Sequence, residues 1–300
     1  MSAVSGVLHR ASVSSVSSFE ISSTVPVGDD NTRPLLLFVA GLGDTLLSVE
    51  YVIGVAAAVG EQGWRCAQAL LSSNGPGWGT ASVRQDAEEL ADLVRYFKRR
   101  GAAKVVLLGH STGCQDAIAY LHLARDDAAM PQLDAVILQA PVSDREAPGV
   151  SEGVNRFLPQ LEYQKDSPTF ASPELASLLQ TDIGITLHRF RSLVLPPTGD
   201  TVNLDVCEDF FSSDLSDLYL ERVFAPTTCP IMFVLSGDDA SYPERIKSRL
   251  PDLLQCFRRS TPEPYSSRHS CILPDADHSL SSVSSAEAFK QQVVAFLGDL

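Results

Sequence analysis

One serine lies between two glycines at the point where an apolar stretch of the chain ends. Residues 104–116 read KVVLLGHSTGCQD, so Ser111 occupies the centre of a Gly-x-Ser-x-Gly pattern between a predicted strand and a predicted helix. Such a turn can present a serine hydroxyl as the nucleophile of acyl transfer, with the amide of Thr112 as one oxyanion donor. The pattern alone is common, and a plain strand-to-helix turn is the alternative.

A catalytic serine needs a base, and His278 is the histidine that lies in a suitable place. It follows the last predicted strand, within LPDADHSLSS, and precedes the last predicted helix. The other five histidines are less suitable. His9 lies in a ragged N-terminus, His110 lies beside the serine and His122 lies inside a predicted helix. His188 lies in the segment after residue 146, and His269 lies within the last predicted strand. We predict His278 as the general base, with an ordinary loop histidine as the alternative.

The base needs a carboxylate to orient it, and the loop after the predicted strand PIMFVLSG offers two. This loop reads GDDASYP, and its usual Gly-x-Asp-x-x-x-Pro shape favours Asp239, with Asp238 as the other possibility. Each residue of the set is chosen from its local context alone. The resulting chain order of Ser, Asp and His is that of α/β-hydrolases and differs from the orders in chymotrypsin and subtilisin, which supports the set independently.

A second oxyanion donor is expected in the loop GLGD, which follows the predicted strand RPLLLFVA. Gly41 allows the backbone to approach a substrate closely, and the amide of Leu42 is a better candidate than that of Gly43. A glycine-rich turn that serves packing only is the alternative. The predicted mechanism is complete with these groups and needs no cofactor and no metal ion.

The scaffold must bring these loops to one edge of a sheet. Apolar stretches predict strands at 33–40, 65–72, 103–109, 134–140, 230–237 and 268–274, with an early edge strand at FEISS, and helices alternate with them at 46–63, 82–101, 114–125 and 284–298. This alternation predicts an α/β fold, the α/β-hydrolase fold, with a mostly parallel, doubly wound sheet. The carboxyl ends of its strands are where the candidate residues fall.

Residues 147–228 interrupt the alternation and are rich in Pro, Ser and Asp, with a helix predicted to start at Ser172–Pro173. We predict a single domain over 1–300 in which this segment is a cap inserted between two strands of the sheet. An independent second domain is the alternative. We expect Gly41, Trp78, Phe210 and Phe211 to line the substrate pocket beneath the cap, or else the aromatic residues to pack in the core.

Charge and motifs exclude several other functions. The chain has 300 residues, with 37 acidic and 23 basic side chains and a net charge of −14, which makes nucleic acid and anionic membranes poor partners. Dinucleotide and P-loop fingerprints are absent from the sequence. The spacing of the acidic residues at 205, 208, 209, 214 and 217 fits no calcium loop, and we expect a solvated acidic face there.

The six cysteines show no metal-binding or redox spacing, and they are expected to be reduced thiols. The N-terminal stretch MSAVSGVLHRASVSSVSSFEISS has no apolar run long enough for the core of a signal peptide, and no later stretch reaches the length of a membrane span. We therefore expect a cytoplasmic protein whose partner is a small-molecule ester, and the sequence leaves its oligomeric state open.

Longer stretches resemble a known family. FVAGLGDTLLSVEYV, LLSSNGPGWGTASVRQDAEEL, LLGHSTGCQDAIAYL, ILQAPVSDRE and EDFFSSDLSD together resemble the fungal siderophore-esterase family of α/β-hydrolases, over about residues 34 to 290. The resemblance implies hydrolysis of the ester bonds of fusarinine-type hydroxamate siderophores, which releases iron inside the cell. It also implies that Ser111, Asp239 and His278 occupy the triad positions of the family.

These patterns together predict a serine esterase that works through an acyl-enzyme. A lactone or amide hydrolase or an acyltransferase would use the same triad. A non-catalytic ligand-binding protein with the hydrolase fold is a further alternative.

Overall fold

The computed structural model describes residues 3–11, 16–22, 30–163 and 169–300. Within these ranges the strands are β1 (Gly6–Arg10), β2 (Ser17–Ile21), β3 (Leu35–Val39), β4 (Arg65–Leu70), β5 (Val105–His110), β6 (Ala135–Gln139), β7 (Ile231–Ser236) and β8 (Cys271–Leu273). The helices are α1 (Tyr51–Glu61), α2 (Val83–Arg99), α3 (Thr112–Asp126), α4 (Val150–Asn155), α5 (Leu158–Tyr163), α6 (Pro173–Leu178), α7 (Leu187–Val194), α8 (Asp217–Phe224), α9 (Glu244–Lys247), α10 (Leu250–Ser260) and α11 (Val283–Gly298).

The described strands form one sheet in the order β1-β2-β4-β3-β5-β6-β7-β8. The strands from β4 to β8 in this order pair in parallel, and β2 pairs antiparallel with both β1 and β4. The side chains of β3, β5, β6 and β7 are buried along their whole length. Helices cover both faces of such strands, which explains why their sequences are uninterrupted apolar stretches. The predicted α/β fold with a mostly parallel sheet is confirmed.

Alternate residues of the central strands face two separate hydrophobic clusters. Leu35, Leu37 and Val39 of β3 pack on the face covered by α2, α3 and α10. Leu36 and Phe38 pack on the opposite face against α1 and α11. The period of two in side-chain direction thus divides one apolar strand between two layers of the core.

The expectation of a ragged N-terminus around His9 is wrong. His9 lies in β1, is buried, and hydrogen-bonds through Nε2 to Glu20 Oε2 at 2.9 Å. Glu20 also accepts a hydrogen bond from Arg65 Nε at 2.9 Å. The strand at FEISS is therefore not an edge strand, because β1 pairs with its outer side. Buried polar contacts accompany this backbone pairing, and a pattern of hydrophobic residues does not reveal them.

The segment between β6 and β7 contributes to two hydrophobic clusters. Helices α4, α6 and α7 form a separate cluster that includes Trp78 and, at its margin, Leu42. The later residues Phe210 and Tyr219 pack into the main core beneath α10. Residues 164–168 of this segment lie outside the described residues. That the segment forms a cap within a single domain stays a prediction.

The expectation of a solvated acidic face in this segment is wrong for Glu208 and Asp209. Both side chains are buried, and each pairs with an arginine: Glu208 with Arg189, and Asp209 with Arg145, whose Nε lies 2.7 Å from Asp209 Oδ2. A buried carboxylate requires such a partner because burial removes its hydration. Both arginines lie far from these acidic residues in the sequence, so the local spacing of the acidic residues does not indicate the ion pairs.

Candidate active site

Ser111 lies on a tight turn between β5 and α3. Its backbone has φ 53° and ψ −124°, a conformation that is rare for a residue with a side chain. Its amide donates a hydrogen bond to the carbonyl oxygen of Gln139 in the neighbouring strand at 3.1 Å. The serine directly precedes the N-terminus of α3, whose first amides have no partner within the helix. The turn therefore presents the hydroxyl at the end of the strand, beside available backbone donors.

The two glycines of the pattern are required by close backbone contacts. A Cβ atom on Gly109 would lie 2.3 Å from the carbonyl oxygen of Gly113, and one on Gly113 would lie 2.3 Å from the carbonyl oxygen of Val39. A Cβ atom on Gly41 would lie 2.8 Å from Cβ of Ser111. Only glycine fits at these three positions without movement of the backbone or of the serine, which brings the GLGD loop directly against Ser111.

His278 and Asp239 form a hydrogen-bonded pair. Nδ1 of His278 lies 2.6 Å from Oδ2 of Asp239, whose other oxygen accepts a hydrogen bond from the amide of Ser241 at 2.8 Å. The Asp239 side chain is 0% exposed and that of His278 is 28% exposed. Asp238 is 75% exposed and pairs with Lys247 instead. Of the two aspartates that the sequence offers, Asp239 is the one that orients this histidine.

The electrostatics of the pair favour an imidazolium beside a carboxylate. Burial is the largest single influence on each group and opposes its charged form, but the hydrogen bond and the mutual attraction outweigh it. The pKa of Asp239 is consequently lowered and the pKa of His278 is raised. Because the Asp239 carboxylate accepts the proton on Nδ1, Nε2 of neutral His278 is left unprotonated.

Gln139 connects the serine to the histidine. Its backbone carbonyl oxygen accepts from the Ser111 amide, and its Nε2 lies 3.2 Å from the carbonyl oxygen of His278. The ring of His110, which directly precedes Ser111, lies 5.0 Å from the ring of His278 between centroids. The three predicted catalytic residues therefore follow the carboxyl ends of β5, β7 and β8, with His278 paired to Asp239 and linked to Ser111 through Gln139.

The GLGD loop is held by one of its own side chains. The amide of Gly41 donates to Asp44 Oδ2 at 3.0 Å, and Gly43 has a positive φ of 77°. Within the described part of the chain, the amides of Leu42 and Thr112 form no hydrogen bond to protein. Their availability is compatible with the predicted oxyanion site, which stays a prediction.

The predicted pocket residues lie in two different environments. Trp78 is buried beside the GLGD loop, with its indole nitrogen 3.6 Å from where a Cβ atom on Gly43 would be. Phe210 and Phe211 are 0% and 1% exposed and belong to the main core, where Phe211 contacts Phe257 at 5.7 Å between ring centroids. Their burial favours the packing alternative over a role in lining a pocket.

The sequence did not reveal the polar residues that surround Ser111 and His278. His110 and Gln139 are buried and share a hydrogen bond of 2.5 Å between Nδ1 and Oε1. Tyr51 donates to the same Gln139 oxygen at 3.0 Å. One signal in the sequence could have indicated these residues: a glutamine ends the apolar strand AVILQ. An amide side chain in a buried strand needs hydrogen-bond partners nearby.

Among the residues that the structure describes, no group of three or more His, Cys, Asp and Glu side chains is arranged to hold a metal ion. No helix in the described ranges is both long and apolar enough to cross a membrane.

Comparisons with known proteins agree with this architecture. The protein of Schizosaccharomyces pombe named UPF0613 protein PB24D3.06c is 34% identical, over 95% of this chain and 93% of its own length. The fusarinine C esterase sidJ of Aspergillus fumigatus is 29% identical over 98% of this chain and 95% of its own length. Among solved structures, the siderophore hydrolase EstB of Aspergillus fumigatus superimposes with a TM-score of 0.76 and 25% identity, covering 99% of this chain and 98% of that one.

The fold and these similarities make the chain an α/β-hydrolase, an enzyme of the carboxylic ester hydrolase class. A family model described as "Protein of unknown function (DUF1749)" matches residues 1–298, and the chain belongs to this family. The resemblance to siderophore esterases that the sequence motifs indicate is confirmed.

Proposed function

We propose that the protein hydrolyses a carboxylic ester through an acyl-enzyme on Ser111, with His278 as the general base and Asp239 as the residue that orients it. The observation that carries this proposal is the 2.6 Å pair of His278 and Asp239 beside a serine held at φ 53°. Nucleophilic catalysis needs a serine presented on such a turn and a histidine with an unprotonated Nε2, and here Gln139 hydrogen-bonds to the backbone of both residues.

Each step moves one proton through His278. Ser111 Oγ attacks the ester carbonyl carbon while Nε2 of His278 takes its proton, and the amides of Leu42 and Thr112 donate to the resulting oxyanion. The tetrahedral intermediate collapses by breaking the ester C–O bond, and the imidazolium protonates the leaving alcohol. Water, deprotonated by His278, then attacks the acyl-enzyme, and the same proton returns to Ser111 as the acid leaves.

The substrate is an ester of a fusarinine-type hydroxamate siderophore. Two similarities support this proposal: the relative named fusarinine C esterase, at 29% identity over nearly the whole chain, and the neighbouring structure named siderophore hydrolase, at 25% identity. Any iron in such a substrate is cargo and takes no part in the steps above.

The segment from about 147 to 228 is an inserted cap of a single domain and helps to form the substrate pocket. The apolar cluster that joins helices α4, α6 and α7 to Trp78 and Leu42 supports this, because it packs the segment against the loops beside Ser111. The cytoplasm is the proposed compartment. All six cysteines lie in the described ranges and none of them forms a disulfide there, which suits a reducing environment.

Ester hydrolysis by wild type and Ser111→Ala tests the mechanism, and a panel of substrates tests the substrate class. The panel contains fusarinine-type siderophores, simple aryl esters, and lactones and amides of matched size. We expect the siderophore ester to have the highest kcat/KM, and Ser111→Ala to retain about a thousandth of the wild-type rate or less. Near-normal turnover by the variant would refute nucleophilic catalysis, and preference for another ester would refute the substrate alone.

A further inference from the structure

Gln139 is a fully buried amide at the carboxyl end of β6 that takes no part in the steps above. Its Nε2 lies 3.2 Å from the carbonyl oxygen of His278 and 3.2 Å from Ser236 Oγ. Its Oε1 lies 2.5 Å from His110 Nδ1 and 3.0 Å from the Tyr51 hydroxyl. One side chain therefore joins the loop of the base to the ends of β5 and β7 and to α1.

The partners determine which way the amide faces. A backbone carbonyl can only accept a hydrogen bond, so the nitrogen of the carboxamide must face His278 and the oxygen must face His110 and Tyr51. His110 Nδ1 must then carry a proton that it donates to this oxygen. Burial and the charge of His278 lower the pKa of His110 to about 4, so at neutral pH this is the only ring proton of His110.

We propose that Gln139 is a positioning residue for the catalytic base, which holds the His278 loop in register with Ser111. Its side chain donates to the backbone of His278 while its own backbone oxygen accepts from the amide of Ser111. The nucleophile and the base are thus attached to the same residue, within a rigid strand. Proton transfer between them depends on distances that must be kept to a fraction of an ångström. This inference rests on the serine mechanism proposed above.

The site requires a neutral donor at this position. The groups that act electrostatically on His278 are the carboxylates of Asp239, Asp144 and Asp44, on the loops after β7, β6 and β3, together with His110 at the end of β5. A carboxylate at position 139 would add a fourth negative charge and would face the carbonyl oxygen of His278 with no proton to donate. An amide supplies the hydrogen bond without adding charge.

The test compares Gln139→Glu, which keeps the size of the side chain and replaces the amide by a carboxyl group, with the matched control Gln291→Glu at an exposed position of α11. The titration of His278, followed by NMR of its ring, is measured beside kcat, KM and the melting temperature. For Gln139→Glu we expect the His278 midpoint to rise by about one pH unit, because a nearby anion favours the imidazolium. We expect kcat to fall about tenfold or more at nearly constant KM, because the geometry of the base is lost. Gln291→Glu is expected to leave the His278 midpoint unchanged and to keep kcat within about twofold of wild type.

Gln139→Met, which has no donor at any pH, is measured beside these variants. A fall in kcat at constant KM in this variant supports the positioning role, and a folded Gln139→Met enzyme with the wild-type kcat overturns it. The NMR titration needs no turnover. It therefore reports on Gln139 even if wild type proves to have no reactive serine, which would be a failure of the proposed mechanism instead.

Discussion

At the scale of single residues, the proton balance of the site depends on His278 and Asp239. The imidazole can act as a base only when it is neutral, and its hydrogen bond to Asp239 favours the charged form. The same bond fixes the tautomer that leaves Nε2 free. A single contact of 2.6 Å thus both orients the base and sets the pH below which it stops working.

The pH dependence of activity follows from the raised pKa of His278. Below that pKa the imidazole is protonated and cannot accept the serine proton, so kcat/KM must fall as the pH is lowered. The midpoint of this fall is expected above 6.5, the value of an unperturbed histidine. Rates measured across a pH series check this, and a profile that stays flat well below that pH would argue against His278 as the base.

The choice between the two neighbouring aspartates can be tested directly. Asp239→Asn removes the acceptor of the Nδ1 proton and is expected to lower kcat by about 10⁴-fold, because the imidazole then adopts the wrong tautomer. Asp238→Asn is the matched control, since this exposed side chain pairs only with Lys247 in the described structure, and we expect almost wild-type kcat. Equal losses in the two variants would contradict the assignment.

At the scale of elements, the turn from β5 to α3 depends on backbone contacts that exclude side chains. Gly113 in the first turn of α3 approaches the carbonyl oxygen of Val39 in β3, so the start of this helix meets the end of that strand beside Ser111. This approach is what allows α3 to start immediately after the serine. The helix N-terminus and the GLGD loop are thereby brought to the same place.

A pair of glycine variants tests this. In Gly113→Ala the new Cβ atom would lie 2.3 Å from a backbone oxygen, so the free energy of unfolding is expected to fall by about 1–3 kcal/mol or more. Gly54 is exposed in α1, and a Cβ atom added there would have no other atom within 4 Å. In Gly54→Ala the free energy of unfolding is expected to rise by about 0.5–1 kcal/mol, because alanine has the better helix propensity. Denaturant unfolding measures both, and a stable Gly113→Ala would contradict the packing described for the turn.

At the scale of the whole molecule, a buried charge cluster joins the segment between β6 and β7 to the main domain. Arg189 of α7 pairs with Glu208, and electrostatic attraction links it to Asp86 of α2 and Asp116 of α3. Burial and the neighbouring carboxylates raise the pKa of Asp86 to about 7, and that of Asp116 rises as well. Burial and the negative charge of Asp86 raise the pKa of Asp116, so the cluster holds protons that the unfolded chain would release.

This cluster gives stability a dependence on pH whose sign is opposite to that of a carboxylate whose pKa is lowered by a cationic partner. A carboxyl group with a raised pKa stabilises the folded state most below its unfolded pKa of 3.8, and the effect is lost as the pH rises through about 7. Asp86→Asn keeps the size and removes this titration. The melting temperature of the variant is therefore expected to decline less than that of wild type between pH 5 and pH 8.

Asp252→Asn, at an exposed position, is the control for this effect and is expected to follow the wild-type curve. Parallel curves for wild type and Asp86→Asn would show that Asp86 does not titrate in this range.

The sequence predicts some parts of the fold and of the candidate site well and others not at all. Uninterrupted apolar strands, and a glycine on each side of the serine, are local signals, and they predict the parallel sheet and the turn at Ser111 correctly. The partners of Glu208, Gln139 and His110 lie far away in the sequence, so no local pattern contains them. Phe210 illustrates a third case, because an aromatic side chain suits a pocket and a core equally well.

The most direct test of the central claim is labelling with a fluorophosphonate, read by intact mass, in wild type, Ser111→Ala and His278→Ala. A reactive serine with its base predicts one adduct on wild type and none on either variant. The melting temperatures of the three proteins show whether each is folded. A folded wild type that takes up no label, or a Ser111→Ala protein that labels as wild type does, would contradict the assignment of Ser111 as the nucleophile.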